Sequence, residues 1–141
     1  MSEDCLFCRI VAGEVPGRIV YEDEAAAAFL DVDPLAAGHT LVVPKTHRRR
    51  LNDLEPAEAG DLFLAVTAVT AAVETAVDAP ATTVAVNNGP AAGQEIHHVH
   101  VHVVPRWRDD GTGSIHALFR ALPDLDEDDM ADIEEDIAAE L

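Results

Sequence analysis

Apolar residues along the chain recur at two spacings, and the change of spacing marks the elements. Cys5 to Ala12 is a short, mostly apolar segment closed by Gly13 and Pro16, which reads as a short helix or turn. Arg18 to Tyr21 reads as a strand, Glu22-Asp23-Glu24 as a hairpin turn, and Ala25 to Val32 as a second strand closed by Asp33-Pro34. His39 to Pro44 is a third. Glu55-Pro56 then opens a long helix, with proline at a tolerated first position. Leu62, Val66, Val69, Val73 and Val77 recur three or four apart and form one stripe suited to packing on a sheet. Pro80 lies just past its end. Thr82 to Val86 is a fourth strand, Asn87 to Gln94 a loop of Gly, Pro and Asn, and His98 to Val104 a fifth strand stopped by Pro105. The tail from about residue 123 is acidic, yet Met130, Ile133, Ile137 and Leu141 keep a helical stripe, so a docking helix is expected there. Five strands joined largely by short turns, with few helices, predict an α+β domain with an antiparallel sheet. A chain of 141 residues suits a single domain over 1–141 with one core.

Charge narrows the setting. Against 27 Asp and Glu stand 9 Lys and Arg, a net charge of −18, and Lys45 is the only lysine. Acid spread along the chain with lysine nearly absent points to a halophilic protein, whose self-repulsion is screened by a salt-rich cytoplasm. Broad nucleic-acid binding needs clustered cations, and the only basic run is Lys45 to Arg50, so no nucleic-acid partner is expected. No uninterrupted apolar run of about 18 residues occurs, so no membrane span is expected. The acidic start, Met1-Ser2-Glu3-Asp4, does not read as a secretory signal, which makes a cytoplasmic location the expectation. Cys5 and Cys8 are the only cysteines; their Cys-x-x-Cys spacing suits half a metal site, a redox pair, or neither.

Candidate chemistry concentrates in His98-Val99-His100-Val101-His102-Val103-Val104. Alternate side chains of a strand face the same way, so the three histidines are expected on one face and the valines on the other, against the long helix. A row of imidazoles binds metal or does proton and nucleophile chemistry near neutral pH. The loop Asn87 to Gln94 runs into this row, and its glycines allow backbone N–H groups to approach an anion closely. Together they suit a phosphoryl group held for attack. His97 alternates onto the opposite face, and His39 and His116 read as structural.

The His-φ-His-φ-His-φ-φ run, with φ apolar, resembles the signature of the histidine triad (HIT) superfamily, in its zinc-containing, nucleotide hydrolase or transferase branch. The likeness extends through Cys5-Leu6-Phe7-Cys8, Tyr21-Glu22-Asp23, Phe29-Leu30-Asp31, Gly38 to Lys45 with His47, Asn87-Asn88-Gly89, Ala92-Gly93-Gln94 and Val104-Pro105-Arg106. The resemblance implies a five-stranded antiparallel sheet with one long and one or two shorter helices, paired in a homodimer into a ten-stranded sheet. It implies His100 as nucleophile, His102 as its helper at the phosphate or leaving group, and His98 as an orienting residue. It further implies Asn87, Gly93 and Gln94 at the α-phosphate, Asp31 on the ribose, and a purine slot of Leu6, Phe7, Ile10, Phe29, Leu30 and Val32. Glu95 departs from the pattern, standing where many relatives place Ser or Thr near the scissile phosphate.

Cys5, Cys8, His47 and His98 supply two sulfurs and two imidazoles, the chemistry of a closed tetrahedral zinc site, and the resemblance implies structural zinc on these four. No organic cofactor is expected. The implied activity is hydrolysis at the α-phosphate of adenine-type nucleotides (phosphoramidates, acyl-adenylates or dinucleoside polyphosphates) through a nucleotidyl-histidine intermediate. A nucleotidyltransferase and a zinc-stabilised nucleotide-binding adaptor without turnover are the alternatives.

Overall fold

The computed structural model describes residues 4–141, which form two compact units, one extending to Asp110 and the other Gly111–Leu141. In the first, α1 (Leu6–Val11) precedes β1 (Ile19–Glu22), β2 (Ala26–Leu30) and β3 (Thr40–Pro44). The long α2 (Pro56–Val77) follows, then β4 (Ala81–Ala85) and β5 (Val101–Arg106). The strands make one antiparallel sheet in the order β1-β2-β3-β5-β4. The turn between β1 and β2 is held by Asp23, whose carboxylate accepts the N–H groups of Ala25 and Ala26 at 2.8 and 2.7 Å and the Tyr21 hydroxyl at 2.6 Å.

Strand alternation builds two cores. Ala26, Ala28, Val42, Val101 and Val103 meet the α2 stripe of Leu62, Ala65, Val66, Val69 and Val73, with Val77 partly buried against it. Ala27, Phe29, Leu41 and Val43 face the other way, onto Phe7, Cys8 and Ile10 of α1. Burial of each large apolar side chain contributes roughly 1.5–3 kcal/mol, and the small alanines of β2 let both layers close on the sheet. Pro56 starts α2, and the Glu58 carboxylate takes the Glu55 N–H at 2.8 Å while binding Arg48 at 2.8 and 3.0 Å. Asp78 ends it in the left-handed conformation. By length and composition α2 meets the requirement for crossing a membrane, which the expectation of no such span overlooked because Thr67, Thr70 and Glu74 interrupt its apolar run. Its apolar stripe lies on the sheet, while Phe63 and Leu64 are exposed.

The fifth strand begins three residues later than expected and does not stop at Pro105. The residues 98–100 are drawn out of the ladder toward the loop after β3: the Val99 N–H donates to the Arg48 carbonyl at 2.8 Å and the His98 ring bonds the Pro44 carbonyl. Proline fits inside β5 because β3 pairs only with Val101 to Val103, leaving Pro105 opposite Thr82 of β4 alone. In the second unit, α3 (Glu127–Ala139) is capped by Asp126, which accepts the Asp129 N–H at 2.8 Å. Met130, Ile133 and Ile137 of its stripe are exposed.

Candidate functional site

α1 brings two sulfurs to one place. Cys5 caps the helix, accepting the Cys8 N–H through Sγ, so Cys8 sits one turn on with its sulfur on the same side. His98 and His47 complete the group. His98 Nδ1 lies 3.4 Å from Cys5 Sγ, 3.5 Å from Cys8 Sγ and 3.3 Å from His47 Nδ1, and His47 Nδ1 lies 3.4 Å from Cys8 Sγ. His98 Nε2 donates to the Pro44 carbonyl at 2.8 Å, which leaves Nδ1 as a lone pair aimed at the sulfurs. A tetrahedral ion with metal–sulfur bonds of about 2.3 Å and metal–nitrogen bonds of about 2.0–2.1 Å sets edges of about 3.4 Å between nitrogens and about 3.5 Å between nitrogen and sulfur. The four residues therefore fit a closed metal centre. Burial pushes the Cys5 thiol above its ordinary value, and a thiolate there needs a cation beside it. Burial holds the His98 imidazole down at about 4, with the Pro44 bond opposing, so its ring is neutral as a ligand must be.

His98 serves twice. Its main-chain carbonyl accepts from His100 Nδ1 at 2.7 Å, the backbone partner that fixes the His100 tautomer. The proton is thus on Nδ1, and Nε2 keeps its lone pair with no hydrogen-bond partner among the described residues. His100 is only 8% exposed, packed edge-on against Phe7 at 5.0 Å between ring centroids, and lines a cleft of about 400 Å³.

His102 lines the same cleft, and its proton is placed from further away. The Leu35 N–H donates to His39 Nδ1 at 3.0 Å, so the His39 proton is on Nε2. That nitrogen lies 2.9 Å from His102 Nδ1 and donates to it, which leaves the His102 proton on Nε2. This buried Nε2–H has no hydrogen-bond partner among the described residues. Asp31 stands 3.6 Å from His39 Nε2; since the two rings share a proton directly, His39 and His102 are better read as a hydrogen-bonded pair with a carboxylate beside it than, with Asp31, as a second metal set.

Burial first, then the neighbouring His100 and His39, pushes His102 from its ordinary 6.5 to about 4, and burial lowers His39 as well. Both rings are neutral in the native protein near pH 7. The unfolded chain takes up a proton near pH 6.5 that the folded His102 refuses until about 4, so stability falls as pH drops through that window. Urea midpoints at pH 7 and pH 4.5 are expected to differ more for the wild type than for His102→Gln. Equal differences would contradict a His102 buried in its neutral form.

The structure brings most of the expected site together and disperses part of it. Phe7, Ile10, Phe29, Leu30, Asp31, Val32, Asn87, Gly93, His100 and His102 all line the cleft. Leu6 does not; it is exposed, because α1 turns Phe7 and Ile10 inward instead. Gln94 is buried beneath the loop rather than lining the cleft. Its Oε1 accepts the Gly89 N–H at 2.9 Å, and its Nε2 donates to the carbonyls of Arg49 and Ile96 at 2.7 and 2.9 Å. It braces the loop with its amide fully used. Gly89, with φ of 104°, packs where a Cβ would come within 3.1 Å of the Arg50 guanidinium. Nor do the three histidines act as one row, since the His98 ring turns to the sulfurs while His100 and His102 face the cleft. His39, read from sequence as structural, is the residue that orients His102. Its signal was register: His39 and Leu41 share a face of the third strand, and Leu41 pairs with His102, which sets His39 diagonal to it.

Known proteins share this fold and much of this sequence. The model of the HIT domain matches residues 12–109. The chain belongs to the HIT family. Among curated relatives, the protein hit of Bacillus subtilis is 37% identical over 99% of this chain and 96% of its own. The adenylylsulfatase HINT3 of Arabidopsis thaliana is 35% identical over 91% of this chain and 65% of its own. The asymmetrical bis(5'-nucleosyl)-tetraphosphatase of Schizosaccharomyces pombe is 38% identical over 68% and 53%. Among solved structures, a HIT family member from Bacillus subtilis superposes with a TM-score of 0.89 at 36% identity, covering 99% of this chain and 98% of that one. A zinc-bound histidine triad protein from Mycobacterium smegmatis gives 0.74 at 38% identity, covering 86% and 84%.

Proposed function

We propose that this protein is a hydrolase acting at the α-phosphate of adenine-type nucleotides through a covalent nucleotidyl intermediate on His100. The observation that carries the reading is the pair of imidazoles in one cleft with opposite, fixed tautomers: His100 presents a lone pair at Nε2 and His102 a proton at Nε2. Those are the needs of a nucleophile and of a donor to the phosphate or leaving group. The His100 lone pair attacks phosphorus, the bond to the leaving group breaks, and the departing atom takes its electron pair and the His102 proton. Water then attacks phosphorus and gives a proton to His102 Nε2, which restores that ring, while the bond to His100 breaks and His100 Nε2 regains its pair. The exposed Asn87 and Gly93 border this point, and Asp31 is suited to the ribose hydroxyls. Phe7, Ile10, Phe29 and Leu30 supply apolar walls for a purine. Relatives named as an adenylylsulfatase and a dinucleoside tetraphosphatase support the same class of bond. In this reading Cys5, Cys8, His47 and His98 hold a structural zinc, which ties α1 to the histidine segment and takes no step in the chemistry. The adaptor reading separates from this one in a single assay. Adenosine phosphoramidate, an acyl-adenylate and diadenosine polyphosphates are offered at high salt, with AMP release and nucleotide-bound protein mass as readouts. Binding without release or adduct would favour the adaptor.

The setting we propose is a homodimer in a salt-rich cytoplasm. Most of the 27 carboxylates have no cation to pair with, since Lys and Arg number 9. Melting temperature is expected to fall as salt is withdrawn, because the repulsion is then unscreened. A melting temperature independent of salt between about 0.1 and 2 M would contradict the halophilic reading.

A further inference from the structure

The cleft carries a charge pattern that the reaction at the α-phosphate does not by itself require. Its lining contains three carboxylates, Asp31, Asp33 and Glu95, and no lysine or arginine. Asp31 is committed: one oxygen accepts the Asp33 N–H at 2.9 Å, and the other faces His39 at 3.6 Å. Glu95 is not. It is exposed, forms no hydrogen bond or ion pair among the described residues, and lies between Gln94, braced under the loop, and Ile96. Arg50, in the loop after β3, is outside the lining and turned to the Asn88 carbonyl at 3.4 Å.

We infer that Glu95 is a specificity determinant that selects nucleotides whose leaving group carries positive charge and rejects those whose leaving group is anionic. The inference rests on the hydrolase reading above and deepens it. His100 is more than nine-tenths buried with Nε2 unpaired toward the cleft, so phosphorus must sit there with its leaving bond directed away from that nitrogen. The purine is expected against Phe7 and Phe29, and the group beyond the scissile bond then meets the remaining open wall, which Glu95 borders. A polyphosphate or carboxylate leaving group brings further negative charge to a wall with a free carboxylate and no cation, whereas an ammonium finds a partner. A leaving amine departs with the electron pair of the broken P–N bond and the proton from His102 Nε2, while its ammonium substituent is untouched.

The test uses three AMP amides of similar size, in which the leaving amine is 1,3-diaminopropane, propylamine or β-alanine. Their distal groups are an ammonium, a methyl and a carboxylate. The full-length protein is assayed at one fixed ionic strength at which it is folded. The wild type is expected to favour the diamine amide over the β-alanine amide in kcat/KM. Glu95→Gln should narrow that ratio about five- to tenfold, the sum of one lost attraction and one lost repulsion across a partly exposed site. Glu95→Lys should reverse the order. A ratio the same in wild type and Glu95→Gln, with turnover intact, would overturn the role of Glu95 and leave the hydrolase reading standing. Turnover of none of the three, nor of an acyl-adenylate or a diadenosine polyphosphate, would instead sink the hydrolase reading. The ratio of calorimetric affinities for the diamine and β-alanine amides, wild type against Glu95→Gln, then decides for or against Glu95 by the same criterion.

Discussion

His100→Ala is expected to lower kcat by about three or more orders of magnitude while nucleotide binding survives. The size follows from what the site lacks once this ring is gone. His102 is its only titratable neighbour on the cleft side of β5, and its proton is locked on the nitrogen that faces the cleft, so it has no lone pair there to substitute. His98 is turned to Cys5 and Cys8 and cannot swing in. The elements for binding, Asp31 and the walls from Phe7 and Phe29, are untouched. The variant should therefore titrate with AMP much as the wild type does, form no adduct detectable by mass spectrometry, and release AMP at a background rate. Near-native turnover would refute the covalent mechanism outright.

The second large effect is on folding. Cys8→Ser is expected to reduce the zinc content from about one per chain to near zero, by elemental analysis. Closed metal sites contribute folding free energy directly, and total stability is only about 5–15 kcal/mol, so loss of several kcal/mol should lower the melting temperature by about 10 °C or more. Cys8 is the cysteine to replace, because its sulfur touches both histidines whereas that of Cys5 touches His98 alone. Without an ion, the His47 and His98 rings are left 3.3 Å apart at Nδ1 with two buried thiols beside them and no cation to hold the four together. Activity should fall as well, since the segment that carries the His100 acceptor is no longer pinned. A native protein that is metal-free and melts at the wild-type temperature would remove the metal from the account.

Much of the fold was legible because it rests on periodicity. The five strands and the long helix follow from spacing, and each boundary lies within a few residues of the pattern. Where the pattern misled, a local bond had displaced it. His98 to His100 look like strand, yet their polar groups are claimed by Pro44, Arg48 and the His98 carbonyl itself. Pro105 looks like a stop, yet its missing donor faces no partner strand. The same division holds for the site. The alternation of His98, His100 and His102 and the Cys5-x-x-Cys8 pair could be read from residue type and spacing, whereas their union with His47, across separations of 39 to 93 residues, came through the family resemblance. The buried brace of Gln94 and the orienting role of His39 depend on contacts across sequence separations of 45 and 63 residues, which a linear pattern does not contain.

The proton on His102 is traceable through His39 to a peptide N–H, that of Leu35, a group that does not titrate in water's ordinary range. An orientation anchored on a side chain is lost to any replacement of that side chain, whereas this one is anchored on an atom that nineteen of the twenty amino acids share. The Leu35 side chain is 78% exposed at the border of the cleft, and it takes no part in this bond. The orientation of His102 should accordingly survive most replacements at position 35 and be lost to proline, which removes the donor where this hydrogen-bond chain begins.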